Sequence, residues 1–456
     1  MAQHALAGIS NRPWRAVRDF LAWHDARPRA SFVDARGWIW LALVASTFVW
    51  MSNPLVFIPT YYLSFNEALV WTKVVLVLML PFLRVPRLPW PWVAFLTLTL
   101  VSHTWSLQPF YTDVSNTVYI KVALMAVLAA ANCEPVVVAW GMALGGVSVV
   151  VLSLYALHMA LPDVQYSAVT GIVFGGVGRN ENILAYTLVV SLAATLAIGL
   201  PRGRFVQALW VVAILIQLYG LSRADSGMGY LAALIVGITA GLVGLSPLFH
   251  TMTRMARVAY AAGALAVLTA GLLFVTLVLG KDLATISGRA PFWKATVEST
   301  WVFARWRGEG WGAVWEHPWD PAPPNHVALD IYRRAGVGLS HGHNFFVDVL
   351  PELGLLGLLV VLLMVAYAVR EVRWCGVREG SADPLAGRLL LLVLVALLSA
   401  GVAEPMFTVP LGWWSLALAV SLPRQGMLRI LERPRGRGDS RAAVRRTGRR
   451  RAQRVR

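Results

Sequence analysis

Apolar residues in this chain fall into long unbroken runs, not the two-fold or 3.6-fold alternation of a surface element. The runs lie near residues 37–58, 67–84, 88–106, 118–131, 134–161, 181–200, 205–222, 228–247, 258–280, 350–371, 386–404 and 408–423. About 20 apolar residues are needed to cross ~30 Å of hydrocarbon as a helix. The pattern therefore predicts an all-α integral membrane protein with about twelve spans, of which the run at 118–131 is the shortest and carries Lys121. Three polar stretches interrupt it: residues 1–36, a loop at 281–344 between the ninth and tenth spans, and the tail 425–456. Spans one to nine would then occupy 37–280 and the last three 345–424.

The distribution of Lys and Arg orients this array, because cytoplasmic loops retain cations. With both termini inside, the inner segments hold Arg12, Arg15, Arg18, Arg27, Arg29, Arg36, Arg84, Arg87, Arg202, Arg204, Arg254, Arg257, Arg370, Arg373, Arg378 and Arg388, with thirteen more arginines from Arg424 onward, while the outer loops 59–66 and 107–117 carry none. Most of the net charge of +17 is thus a topology signal. The Arg-rich tail reads as a disordered segment lying on anionic membrane lipid, with no nucleic-acid partner. Cys133 and Cys375, the two cysteines, fall on the inner side, where no structural disulfide is expected. No cleavable signal peptide is expected before the first span.

Against this orientation, eight cations stand outside: Arg179, Arg223, Arg289, Lys294, Arg305, Arg307, Arg333 and Arg334. Arg179, Arg223 and Arg289 would share one depth at the outer interface, where guanidinium forks can bind phosphate oxygens in pairs. Asn182 belongs to the same Gly178-Arg179-Asn180-Glu181-Asn182 stretch. The plain alternative for these arginines is snorkelling, or pairing of Arg223 with Asp225 and Arg179 with Glu181. The outer loop adds six tryptophans, Trp293, Trp301, Trp306, Trp311, Trp315 and Trp319, among carboxylates. That mixture suits sugar stacking and equally suits lipid anchoring. An amphipathic helix over about 290–306 is expected there, followed by irregular structure around Gly308-Glu309-Gly310-Trp311-Gly312 and Pro321-Ala322-Pro323-Pro324.

The most specific signal closes that loop. His341-Gly342-His343-Asn344 is followed by nine residues and then Gly354-Leu355-Leu356-Gly357. If the segment is helical, His343, Gly354 and Gly357 share a face, and the glycines would admit a second helix closely. A helix start favours a neutral imidazole and attracts phosphate. Asn344 would cap the helix or orient His343.

These motifs resemble the O-antigen ligase and polymerase superfamily of bacterial envelope glycosyltransferases. The residues carrying the resemblance are Ser222-Arg223, Gly288-Arg289 with Phe292-Trp293, and His343-Asn344 with its spacing to Gly354-x-x-Gly357. The ligase pattern continues with Thr-Gly where this chain has Leu358-Leu359; the polymerase branch carries Arg followed by ten residues and Gly, which no outer arginine here shows. The balance favours the ligase branch. The resemblance implies a GT-C-like fold in the bacterial inner membrane with its active site facing the periplasm. It implies metal-independent, inverting transfer of a glycan from undecaprenyl diphosphate to an acceptor hydroxyl, on lipid A-core or on a growing polysaccharide, with no cofactor. Catalysis would rest on His343, Arg289 and Arg223, diphosphate binding on Arg179, Arg223, Arg289 and Asn182, and support on His341, Asn344, Gly354 and Gly357.

Two other readings remain open. His341-x-His343 with His317, His326, Asp320 or Asp330 would form a zinc site. A transporter or lipid-glycan flippase would explain Lys73 and Lys121 within spans, although no internal repeat supports it. His103 and His158 read as satisfied interface residues. Asp163 and Glu404 also face outward, and either would suit an active-site arginine.

Overall fold

The computed structural model describes residues 27–431 except 55, 58–76, 79–81, 85, 169–170, 250–251, 274–275, 278–279, 281–288, 316–324, 337–340, 377–382 and 407–408. It is helical apart from one small hairpin. The helices are α1 (Ala35–Met51), α2 (Trp90–Ser102), α3 (Pro109–Asn132), α4 (Pro135–His158), α5 (Glu181–Ile198), α6 (Arg204–Ala224), α7 (Gly227–Phe249), α8 (Arg254–Leu273), α9 (Arg289–Phe303), α10 (His326–Ala335), α11 (Phe345–Gly376), α12 (Pro384–Gly401) and α13 (Pro410–Leu431). The hairpin pairs β1 (Gln165–Ala168) antiparallel with β2 (Gly171–Phe174) between α4 and α5.

Among the described residues, seven helices are long and apolar enough to cross a membrane: α3, α4, α5, α6, residues Gly227–Leu245 of α7, residues Phe345–Arg373 of α11, and α12. This is a multi-pass membrane protein. The run expected at 67–84 lies mostly outside the described residues, so the count of twelve stays an expectation. Helix α3 starts nine residues before the apolar run at 118–131 does. Proline at its first turn supplies a preset φ and needs no donor, and Thr112, Ser115 and Asn116 are buried against neighbours, not solvated.

Helix α5 lies at the centre of one half, packed on α4, α6, α7 and α12; α1 packs on α4, α3 on α13, and α11 on α2 and α12. Lipid and core are equally apolar, so close approach must do what hydrophobicity does in water. A Cβ at Gly141 would meet Val44 Cγ1 at 2.6 Å and one at Gly145 would meet Phe48 Cβ at 2.7 Å, so α1 lies directly on the α4 backbone.

The segment between α8 and α11 is knitted into one end of this bundle. Gly308, Gly310 and Gly312 take φ values of 68°, 110° and 75°, open to glycine at little cost, and turn the chain so that Trp311 is fully buried among Phe95 and Tyr119. Buried Glu352 of α11 holds the turn, accepting from Gly312 N at 2.9 Å and Trp315 N at 3.2 Å. Phe292, Trp315, Val327 and Ile331 form a second small core between α9 and α10. The expected helix over 290–306 is thus α9, the stretch around Gly308–Gly312 is irregular as expected, and α10 is a further helix for which no expectation was set. Asn325 caps it by accepting from Ala328 N, and Gly336 ends it at φ 70°.

Helix α11 is not continuous. Gly354 has φ 63° and ψ −158°, and Pro351 precedes it. The continuous face expected to join His343, Gly354 and Gly357 is therefore interrupted. What approaches Gly354 is the backbone just after α9, not another helix: a Cβ there would meet the Trp306 carbonyl carbon at 2.5 Å. At Gly357 a Cβ would meet Val349 Cγ1 of its own helix at 2.9 Å.

Candidate active site

Helix α11 opens with Asn344, whose side-chain oxygen accepts from Phe346 N at 2.9 Å and Val347 N at 3.1 Å. This is the capping role, satisfying two orphan amides of the first turn. Its amide nitrogen donates to Val402 O at 2.9 Å, which fixes the connection between α12 and α13 beside the histidine loop. Gly342 is pinned from two sides: its N–H donates to Asp348 Oδ1 at 2.5 Å and its carbonyl accepts from Trp293 Nε1 at 2.8 Å. Trp293 lies one turn beyond Arg289, so α9 presents both to the loop. His343 between these anchors has φ 45°, a left-handed conformation that costs a non-glycine residue of order 1–3 kcal/mol and persists where surroundings impose it.

The result is a compact cluster. Arg289 Nη2 donates to Glu404 Oε1 at 2.8 Å, with side-chain exposures of 13% and 5%. The other carboxylate oxygen lies 3.6 Å from His343 Nδ1, and the His341 and His343 rings are 4.0 Å apart between centroids. All four residues sit outside the membrane-spanning helices or at a helix end. Burial, and then the positive charge of Arg289, push the His343 pKa down to about 4, with Glu181 pulling the other way. The imidazole is neutral near pH 7, as expected, although burial outweighs any helix-end effect as the cause. Burial raises the Glu404 pKa, opposed by Arg289 and His341.

The other arginines are placed differently. Arg179, left-handed at φ 56°, pairs with Asp163 at 3.4 Å, not with Glu181. Arg223 lies over the Phe174 ring at 5.6 Å and forms no ion pair with Asp225 among the described residues. Asn182 accepts from Ser226 Oγ at 2.8 Å, tying the start of α5 to the α6–α7 turn. Neither Arg179 nor Arg223 bonds to the His343 cluster; Glu181, between Arg179 and Asn182 in sequence, is the link that acts on it electrostatically.

Glu404 is the residue that completes the site. The sequence offered a signal: it is the one carboxylate between Asp383 and Glu432. His341, His343 and Glu404 bring one ligand atom each within 4.8 Å, a spacing a divalent cation accepts. Any such ion would share Glu404 with the Arg289 guanidinium, a like-charge neighbour. The zinc set weighed from sequence does not assemble around this cluster in what is described. His326 lies 4.0 Å from Glu309, and Asp330 binds Arg334 at 2.6 Å, while His317 and Asp320 lie outside the described residues.

No family model matches the chain. It is similar to the exopolysaccharide production protein ExoQ of Rhizobium meliloti (strain 1021), with 25% identity over 292 residues covering 61% of this chain and 64% of ExoQ. The chain thus spans less than two thirds of that relative. The similarity supports the broad group of polysaccharide-production membrane proteins and does not single out the ligase branch.

Proposed function

We propose that the protein is a membrane glycosyltransferase of polysaccharide production, transferring a glycan from undecaprenyl diphosphate to an acceptor hydroxyl of a growing polysaccharide at the outer face of the inner membrane. The observation that carries this reading is the buried neutral imidazole of His343 set against a carboxylate that an arginine holds in place.

In this reading Glu404 takes the Nδ1–H of His343, leaving Nε2 as the proton acceptor, the same logic by which a carboxylate fixes the tautomer of a catalytic histidine. The 3.6 Å separation is longer than a hydrogen bond, and such contacts tighten when substrate closes the site. His343 removes the acceptor proton as that oxygen attacks the anomeric carbon. The bond from that carbon to the diphosphate oxygen breaks, and undecaprenyl diphosphate leaves with the electron pair. Arg289 offsets the charge on the departing diphosphate. Direct displacement inverts the anomeric centre. Arg223, Arg179 and Asn182 would guide the diphosphate from the rim. The step uses no metal or cofactor.

A second reading, ligation of O-antigen to lipid A-core, is favoured by the spacing from His343-Asn344 to Gly354-x-x-Gly357. Deleting the gene and analysing glycans still attached to the carrier lipid separates the two. Single repeats stranded on the carrier support polymerisation, and long glycan stranded beside bare acceptor supports ligation. Uptake or flipping by purified protein without a covalent glycan product would overturn both in favour of a transporter.

A further inference from the structure

Residues 301–307 present a dense aromatic and cationic surface that the chemistry above does not use. Trp301, Phe303 and Trp306 are 57%, 47% and 63% exposed. The Arg305 guanidinium lies 5.1 Å from the Trp301 ring and 5.5 Å from the Trp306 ring, and Arg307 lies 5.6 Å from that of Trp105. Neither arginine forms a close ion pair among the described residues, although the charge of Arg307 acts on Glu309 at longer range.

The hydrogen bonds fix the depth of this surface. Leu355 N donates to Arg305 O at 2.9 Å and Leu356 N to Trp306 O at 3.1 Å, so residues 305–306 lie level with the first apolar turn after the Gly354 break. From Leu355 the apolar stretch of α11 runs to Arg370, which at 1.5 Å per residue is about 22 Å. That is short of ~30 Å of hydrocarbon, so Leu355 cannot stand clear of the bilayer. The exposed rings beside Leu355 then face lipid at or just below the hydrocarbon edge, near which tryptophan is enriched, and the two long arginine side chains can reach outward toward the headgroup phosphates.

We propose that residues 301–307, with Trp105, form a phospholipid-binding surface, the rings entering the acyl boundary and Arg305 and Arg307 binding the phosphates of anionic headgroups. It is about 20 Å along α9 from Arg289 and independent of the transfer reaction. Two arginines near an anionic surface favour it by a combined factor of roughly twenty or more.

The test uses the full chain in phosphatidylglycerol–phosphatidylcholine nanodiscs, with Cys375→Ser and one nitroxide at Val302→Cys, or at Phe303→Cys as a second position; Cys133 is buried. A label at Arg333→Cys, an exposed cationic position on α10, is the aqueous reference. Labels at 302 and 303 should collide with oxygen more than with a water-soluble nickel chelate. Arg305→Ala with Arg307→Ala should cut retention of phosphatidylglycerol over phosphatidylcholine roughly twenty-fold by native mass spectrometry. Nickel accessibility equal to that at 333 overturns the proposal, as does unchanged lipid preference in the double variant. Immobilisation of a water-exposed label by soluble polysaccharide fragments would overturn it in favour of a glycan platform.

Discussion

Two arginines expected to play one part, Arg289 and Arg179, sit in opposite physical settings. Arg289 is nearly buried and meets a buried carboxylate at 2.8 Å, which in turn faces the imidazole of His343. Arg179 meets Asp163 at 3.4 Å, and that carboxylate is 59% exposed. Removing one partner of a buried ion pair costs about 3–5 kcal/mol, whereas an exposed pair is worth about 0–1 kcal/mol. One arginine is therefore locked into a charge network, and the other sits in a weaker and more exposed pair.

The largest effect should come from the centre of the buried network. His343→Ala is expected to lower transfer by about 10²–10⁴-fold while the protein inserts and melts normally; near-normal product in a glycan assay would remove the general-base role. Next, Arg289→Ala should weaken use of the diphosphate donor and lower stability by about 3–5 kcal/mol, since Glu404 is left buried and unpaired. Thermal unfolding in detergent checks this, and Arg289→Ala combined with Glu404→Gln should recover stability without restoring donor use. A melting temperature unchanged by Arg289→Ala would dissolve the contrast between the two arginines.

Smaller effects follow from protonation. The folded pKa of His343, about 4, lies below the ordinary 6.5, so the unfolded chain binds more protons between those values. The neutral-imidazole contribution to stability is present above pH 6.5 and is lost as pH falls towards 4. Replacement by Gln should flatten that window in a pH-dependent unfolding series. Smallest is Arg179→Ala, expected to change stability by about 0–1 kcal/mol and to weaken use of the diphosphate donor more than Arg179→Lys does. Equal KM values for the two variants would argue against phosphate contact. Chelators should leave transfer unaltered; loss of activity restored by zinc would assign His341, His343 and Glu404 as ligands instead.

Most of the helical architecture was legible because bilayer thickness writes itself into run length, as at α4, α5 and α12. The start of α3 was not, since its polar first turns are satisfied by packing that only the folded bundle reveals. The histidine loop and Arg289 were legible from motif spacing, and the capping role of Asn344 from residue type. The choice of Glu404 over Asp163 as the partner of Arg289 depends on the loop after α12 meeting Asn344, a contact 58 residues apart in sequence. Helix periodicity also assumed that α11 runs unbroken, and the bend at Gly354 defeats any argument that counts turns through it.

That bend is not self-supporting. An amide without a partner in hydrocarbon costs several kcal/mol, and the amides of Leu355 and Leu356 find theirs in carbonyls contributed by residues 305 and 306. The bend therefore persists only while residues 305–306 stay docked against it, and a chain that lost that docking would have to close these amides on its own carbonyls as a straighter helix.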